Sequence, residues 1–546
     1  MSTNISQEKR KRLLEKIEEI RKFLLAAQES EVANKLLSDL AEIEKEISAK
    51  KFGLVFEEHV EEIDRLLDDC LPVLKEVDSL KINGKKYNFL IEGDNLAALE
   101  LLKKTHAGMI DIIYIDPPYN TGKKDFVYDD SFVDANDTFR HSKWLSFMKK
   151  RLEIAKALLS KEGIIFISVD DNELSELKLL CDGIFDERCF INNFMWLHGK
   201  GKKNKQSRTL QQYILAYGRK DRDFLPEWVT ERFAKGSFSN PDNDPRGDWF
   251  SGSISFSEDR SNKNSENYFE ITSPSGVIWQ RQWQCSRDEM DKYLAENKIY
   301  FGRPPKFDQT PRLKIFPTDK YQVIPDNIIS GVGTTRSAQK ELDKIIGTTV
   351  NEKGQVVSKF DNPKPHELIE HLIEICDKGS DITVLDFFAG SGTTGHAVME
   401  LNAKDNGQRK FILCTNNENN ICRDVTYERL KKVIENQGYD AGLKYLQVGF
   451  VEKKDKFYYE YAGELLKRVR ELIELENFVD LSSSTSCALV CSEEDFDSFT
   501  THLPETCRTV YLSNDILPTE EQEQLLIQNN IKVNIVPEYY YSDLED

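Results

Sequence analysis

Residues 114–122, YIDPPYNTG, halt the apolar run Ile110, Ile112, Ile113, Tyr114, Ile115 on an aspartate backed by two prolines. Proline gives no N–H to a sheet and fixes its own φ, so a strand must end here. The residue before a proline is pushed to extended geometry. This predicts Asp116 at the carboxyl end of a buried strand, with its side chain and the following carbonyl aimed outward. In open α/β sheets that rim is where ligands bind. Asp-Pro-Pro also initiates ordinary turns, so its meaning depends on the rest of the chain.

Strand-like and helix-like stretches alternate around it: NFLIEGD, a helix from Asn95, DIIYID, a helix around Trp144 to Leu159, and GIIFISVDD at 163–171. The pattern predicts a parallel sheet with helices on its faces. It breaks between about 190 and 335, where short aromatic pieces such as NYFEITSPSGVIWQRQWQC mix with turn residues, and predicts an inserted, mixed or β-rich domain. Order returns with a helix near His366 to Asp377, the strand ITVLDFF, a helix from Thr394 and the strand KFILCTN. Ahead of all this, Leu13, Ile17, Ile20, Leu24 and Leu36, Leu40, Ile43, Ile47 recur at helical spacing in two runs. The organisation read from sequence is therefore a helical segment over 1–80, two core halves over 81–189 and 336–445, an insert over 190–335, and an acidic α/β domain over 446–546.

Charge bears on partners. The chain carries a net −20 and a pI of about 5.1, which at first argues against nucleic acid. Residues 451–546, however, hold 21 acidic against 8 basic side chains, 13 of those negative charges net. The segment 196–222 instead carries Lys200, Lys202, Lys203, Lys205, Arg208, Arg219, Lys220 and Arg222 against Asp221, and such a segment can neutralise phosphates. An ordinary solvated loop would have the same composition. The ten cysteines include no CxxC pair, and the start MSTNISQEKRKRLLEK has no apolar h-region, so reduced thiols and a cytoplasmic, non-membrane protein are expected. In HELIEH, His366 and His371 are five apart and point about 140° from each other on a helix, so no metal site is predicted there.

A second motif, DFFAGSGTTGHAV at 386–398, leads from a strand into a helix, and Gly390, Gly392 and Gly395 satisfy G-x-G-x-x-G. Small residues let the backbone approach a cofactor, and Glu418 after the next strand is placed for ribose hydroxyls. No Lys-Ser or Lys-Thr follows, so a P-loop is excluded. A dinucleotide oxidoreductase remains open on this loop alone, but it gives no role to YIDPPYNTG.

The pair of motifs resembles that of the amino-methyltransferases of DNA that use S-adenosylmethionine (SAM). The order, DPPY first and FAGSGTT last, resembles their β class. LIEGDNLAALELL, FISVDDNE and FDNPKPHELIEHLI are similar to the modification subunits of type III restriction systems. The resemblance spans roughly 85–445. It implies a Rossmann-like SAM-dependent methyltransferase sheet with an inserted target-recognition domain, and N6-adenine methylation of double-stranded DNA by base flipping. It also implies a homodimer with a possible restriction (Res) partner. One departure is Gln212-Tyr213, where many relatives carry Glu-Tyr, and no role is assigned to that position.

An adenine amino nitrogen is a poor nucleophile, its lone pair being delocalised. Two acceptors, the Asp116 carboxylate and the Pro117 carbonyl, would draw it toward tetrahedral geometry, with Pro118 stiffening the turn and Tyr119 stacking on the extruded base. The loop Asp386, Phe388, Gly390, Ser391, Gly392, Thr393 would pass SAM. By resemblance, Lys364 and Pro365 lie near its methionine tail and Asp94 near cofactor or base. RNA or protein glutamine methylation, and a non-catalytic nucleic-acid-binding module, are the competing readings.

Overall fold

A computed structural model describes residues 5–26, 31–48, 56–122, 127–128, 131–132, 137–203, 207–234, 236–376 and 378–542. The chain divides into one compact unit of Met1–Leu225, Ile328–Ile369 and Ser380–Asp546 and a second of Pro226–Asn327 with Glu370–Gly379.

The first unit is built on a ten-stranded sheet. Its strands are β1 (Cys70–Glu76), β2 (Tyr87–Glu92), β3 (Ile110–Ile115), β4 (Leu159–Val169), β5 (Phe190–Lys203), β6 (Arg208–Gly218), β7 (Ile328–Ile329), β8 (Thr383–Asp386), β9 (Lys410–Thr415) and β10 (Gly442–Glu452), in the order β1-β10-β2-β9-β8-β3-β4-β6-β5-β7. The six strands from β10 to β4 are parallel, β1 is antiparallel to β10, and β5 and β6 form an antiparallel hairpin on β4. Parallel strands covered on both faces need apolar side chains on both, which is why β2 and β3 read as near-continuous runs. Helices α1 (Ile5–Ala26) and α2 (Glu31–Ser48) form a pair with Ile17 and Leu40 buried; α3 is Glu62–Asp69, α6 is Leu174–Phe185 and α7 is Thr335–Ile346. Leu96, Leu99 and Leu102 of α4 (Asn95–His106) and Leu145, Met148, Leu152 and Ala155 of α5 (Arg140–Leu158) repeat at three- and four-residue steps, and both helices bury that stripe in the main core.

From β3 the chain moves outward to β4, and from β8 it moves the other way to β9 and then β10. The switch point of the sheet therefore lies between β3 and β8, which pair directly through Val384–Ile112 and Leu385–Ile113. Asp116 and the glycine loop leave neighbouring strands at the same rim.

The sequence-based boundaries shift in three places. β1 lies within the supposed helical segment 1–80. β5 and β6, assigned to the insert, belong to the main sheet, and the second compact unit runs over 226–327 instead of 190–335. The boundary at 446 cuts through β10. Tyr461, Leu465, Leu472 and Ile473, together with Val536 and Tyr541, lie in the same core as α4 and α5, so the acidic segment is no detached module.

The second unit packs Ile254, Ile271, Trp283, Met290, Ile299 and Phe301 around short antiparallel strands. Its one deeply buried lysine, among the described residues, is Lys314, neutralised by Asp242 and Asp244 at 2.6 and 2.7 Å.

Candidate active site

Asp116 leaves the end of β3, and Pro117, which fixes its own φ, is buried behind it. The Pro118 carbonyl accepts from Trp144 Nε1 of α5 at 2.7 Å, which ties the turn to the helix beneath it. Tyr119 donates its hydroxyl to Asp116 Oδ1 at 2.7 Å. Burial, and then the neighbouring Asp116 carboxylate, pushes this phenol well above its usual range, so it stays a donor. Lys364, 7% exposed, places its ammonium 2.6 Å from both Asp116 oxygens and 2.8 Å from the Tyr119 hydroxyl. The same ammonium lies 5.1 Å from the centre of the Tyr119 ring.

Asn120 ends the motif in a left-handed conformation, φ 54°, which asparagine tolerates better than most residues. Its Nδ2 donates to the Arg140 carbonyl at 3.1 Å and to Glu173 Oε1 at 2.5 Å. His141 Nε2 accepts from Arg140 Nε at 3.1 Å, so a neutral His141 carries its proton on Nδ1 and donates it to Glu173 Oε1 at 2.7 Å. Glu173 is fully buried, and its desolvation raises the carboxyl to about 8. Oε2 is buried with no hydrogen-bond partner, so an ionised carboxylate would be poorly solvated there. Sequence reading passed over this cluster although Asn120 lies inside the quoted motif. Glu173 and His141 reach it only through folding.

The glycine loop follows β8. Gly390 and Gly392 have φ +47° and +72°, values that side chains rarely adopt. A Cβ on Gly392 would stand 3.2 Å from Thr426 Cγ2, so a larger residue there meets the protein's own helix as well as the space above the loop. At Gly395 a Cβ would come within 2.8 Å of Leu430 and 3.1 Å of Leu413; this glycine permits close packing of α8 (Thr393–Asp405) on the sheet. The other predicted cofactor residues divide by orientation. Phe388 and Gly390 are half-exposed at the rim and Glu418 is exposed just after β9. Asp386 is buried, its carboxylate accepting from Thr394 Oγ1 (2.5 Å) and the Phe388 amide (2.9 Å), and burial lifts it to about 7. Ser391 and Thr393 turn inward to Arg429 of α9 (Glu428–Gln437), whose Nη1 reaches Thr393 Oγ1 at 2.7 Å. Asp94 is the N-cap of α4, accepting from the Leu96 amide at 2.7 Å. Pro365 is buried against Gly333.

Buried cations brace the loop. Arg151 pairs with Glu61 at 2.9 and 3.0 Å and donates to Asn95 Oδ1 at 2.6 Å, while Asn95 Nδ2 holds the Phe387 carbonyl. Arg429, lowered to about 10 by burial, also approaches Glu341 at 3.7 Å and His396 Nδ1 at 3.2 Å. Glu341, His366 and His396 have ligand-like spacing, within 4.8 Å of one another, but the guanidinium already supplies positive charge to this cluster. None of these arginines carries a sequence signature.

The predicted DNA-contacting residues are split by the hairpin. Lys202 and Lys203 pair in register with Thr209 and Arg208 beyond the carboxyl end of β4; the side chains of Lys200, Lys202 and Lys203, and all of Lys205, lie outside the described residues. Arg208 is exposed there. Arg219 and Lys220 sit at the opposite rim, where Arg219 bonds the Lys156 carbonyl and Lys220 pairs with Glu162. An eleven-residue strand, β6, separates the two groups by ~35 Å, so the basic segment is not one surface. Among the described residues no helix is long and apolar enough to cross a membrane.

The fit of SAM to this rim rests on the half-exposed backbone at Gly390, the left-handed glycines and the exposed Glu418 one strand away. Three relatives can be set beside it. The StyLTI Mod subunit of a type III restriction-modification enzyme from Salmonella typhimurium is 36% identical over 393 residues, 66% of this chain and 57% of that protein. The EcoP15I Mod subunit of Escherichia coli is 30% identical over 437 residues, 67% of this chain and 66% of its own length. The type II methyltransferase M.KpnI of Klebsiella pneumoniae is 33% identical over 346 residues, 60% of this chain and 79% of that enzyme. The chain thus spans 57% and 66% of the length of these two Mod subunits. The family model described as DNA methylase matches residues 110–428, from the first residue of β3 to the start of α9 and across both motifs, and the chain is a member of that family.

Proposed function

We propose that this chain transfers a methyl group from S-adenosylmethionine to the N6 amino group of adenine in double-stranded DNA, as the modification component of a restriction-modification system. The observation that carries the reading is the pairing of β3 with β8, which brings Asp116, Pro117 and Tyr119 beside the glycine loop at the switch point of the sheet. Bound SAM supplies an electrophilic methyl group on a sulfonium. The chain's own residues act on the base: Asp116 accepts one amino N–H and the Pro117 carbonyl the other, which frees the nitrogen lone pair. Tyr119 offers its ring to the flipped base. Glu418 accepts from ribose hydroxyls.

The unit 226–327 reads sequence in this account, and the β5–β6 tip contacts backbone phosphates. The names of the relatives, Mod subunits of restriction-modification enzymes, support a restriction partner; a homodimer and a cytoplasmic setting belong to the same proposal. Transfer of labelled methyl from SAM to duplex DNA, followed by mapping of the modified base, tests the reading. N6-methyladenine at a defined site is expected, and Asp116→Ala should lower the rate at least ~100-fold while SAM affinity stays within ~3-fold. N4-methylcytosine, or transfer to RNA or protein alone, would overturn it.

A further inference from the structure

We propose that Lys364 is a positioning residue that clamps the Asp116 carboxylate and leaves a single acceptor site on Oδ2 for the amino group to be methylated; this rests on the function proposed above. An ammonium has three hydrogens and no lone pair. Lys364 has three acceptors for them within 2.8 Å: Asp116 Oδ1, Asp116 Oδ2 and the Tyr119 hydroxyl. In this arrangement no donor remains for the carboxylate of the cofactor's methionine tail, near which the resemblance places this residue.

A carboxylate offers about four lone-pair sites. Oδ1 receives Lys364 and Tyr119, and Oδ2 receives Lys364 alone. One site on Oδ2 therefore stays open, on a side chain 28% exposed, against 7% for the lysine. The clamp also fixes which carboxylate edge faces the rim; as the sulfonium leaves as a thioether, the methylated nitrogen would shed one proton to solvent.

The lysine is itself held from the other motif. Its carbonyl accepts from Thr393 Oγ1 at 3.2 Å, and Arg429 donates to that same hydroxyl at 2.7 Å. Thr393 is the first residue of α8, directly after Gly392. A chain of contacts thus runs from the glycine loop through the Lys364 backbone to its ammonium and on to Asp116. The acceptor and the loop keep their separation because one residue touches both.

The test compares wild type, Lys364→Met, Lys364→Arg and Lys364→Ala in methyl transfer from labelled SAM to duplex DNA carrying the mapped site, with SAM affinity measured separately by calorimetry. A positioning role predicts that Lys364→Met lowers kcat at least 100-fold with SAM affinity within 3-fold. It also predicts that Lys364→Arg recovers at least tenfold of the loss, and that propylammonium added to Lys364→Ala raises kcat in a saturable way. A variant that loses SAM affinity tenfold while keeping kcat at saturating SAM would return Lys364 to the cofactor's tail and overturn the proposal. Loss of both without rescue by arginine or propylammonium would overturn it too. A wild type that moves no methyl to DNA would defeat the functional reading itself, whereas active wild type with indifferent Lys364 variants would defeat only the clamp.

Discussion

Glu173 shows how a residue away from the reacting atoms can set the behaviour of the site. Its carboxyl, buried under Asn120 and His141, is raised from 4.5 to about 8 by desolvation. Arg140, Glu176 and Asp170 are the other charges acting on it, and His141 is kept below its usual value by burial and by Arg140. Folding therefore favours protonated Glu173. Between about 4.5 and about 8 the folded chain holds more protons than the unfolded one, so this contribution to stability is complete at low pH and is lost as pH rises through 8. Buried Asp386, raised to about 7, acts with the same sign. Glu173→Gln keeps an oxygen for Asn120 and His141 but cannot ionise. Its melting temperature should fall less between pH 5 and pH 8.5 than that of the wild type, by at least ~3 °C. Parallel melting curves for the two proteins over that range would show Glu173 to be ionised throughout.

Among elements, the β5–β6 hairpin shows what sequence could and could not show. Its basic content was plain from 196–222, but nothing in composition told that β6 carries Arg208 to one rim and Arg219 to the other. Pairing of Val169 with Tyr213 and of Ile164 with Gly218 does that, and strand register is a long-range property. β3 and β8 were legible for the opposite reason. Each ends in a local signal, two prolines in one and a glycine turn in the other, and their apolar runs are dictated by burial on both faces. The split has a consequence for binding. Replacing Lys200, Lys202, Lys203 and Arg208 by alanine should reduce the salt slope of DNA binding by up to ~0.9 per lost phosphate contact. Replacing Arg219 and Lys220 should leave the slope unchanged. If the second pair moves the slope and the first set does not, the DNA lies at the other rim.

In the molecule as a whole, the acidic C-terminal segment matters more for folding than its charge suggested. Lys444 of β10 is fully buried, with Glu474 at 2.5 Å, Glu76 at 3.0 Å and Asp480 at 3.4 Å. Glu474 comes from the helix Val469–Asn477 and Glu76 from β1, and Lys81 pairs with Asp480. Charge read from the sequence as that of an acidic domain is in part a buried ionic junction between the edge of the sheet and the helix that covers it. Removing one partner from such a cluster leaves charge unbalanced where water cannot reach, at a cost of about 3 kcal/mol or more. Lys444→Met should destabilise the chain by about that amount, because Glu474, Glu76 and Asp480 then share the site without it, and adding Glu474→Leu should recover part of the loss. Deletion of 453–546 removes Glu474 and Asp480 along with Leu465, Leu472, Ile473 and Tyr541 from the main core. It should abolish cooperative unfolding and SAM binding together. Deletion of 1–48, a pair in which only Ile17 and Leu40 among the described hydrophobic side chains are buried, should preserve both. Thermal melts of the two truncations with SAM titrated into each would decide. A stable, SAM-binding chain ending at 452 would mean that the C-terminal segment is the separable module its acidic composition first implied.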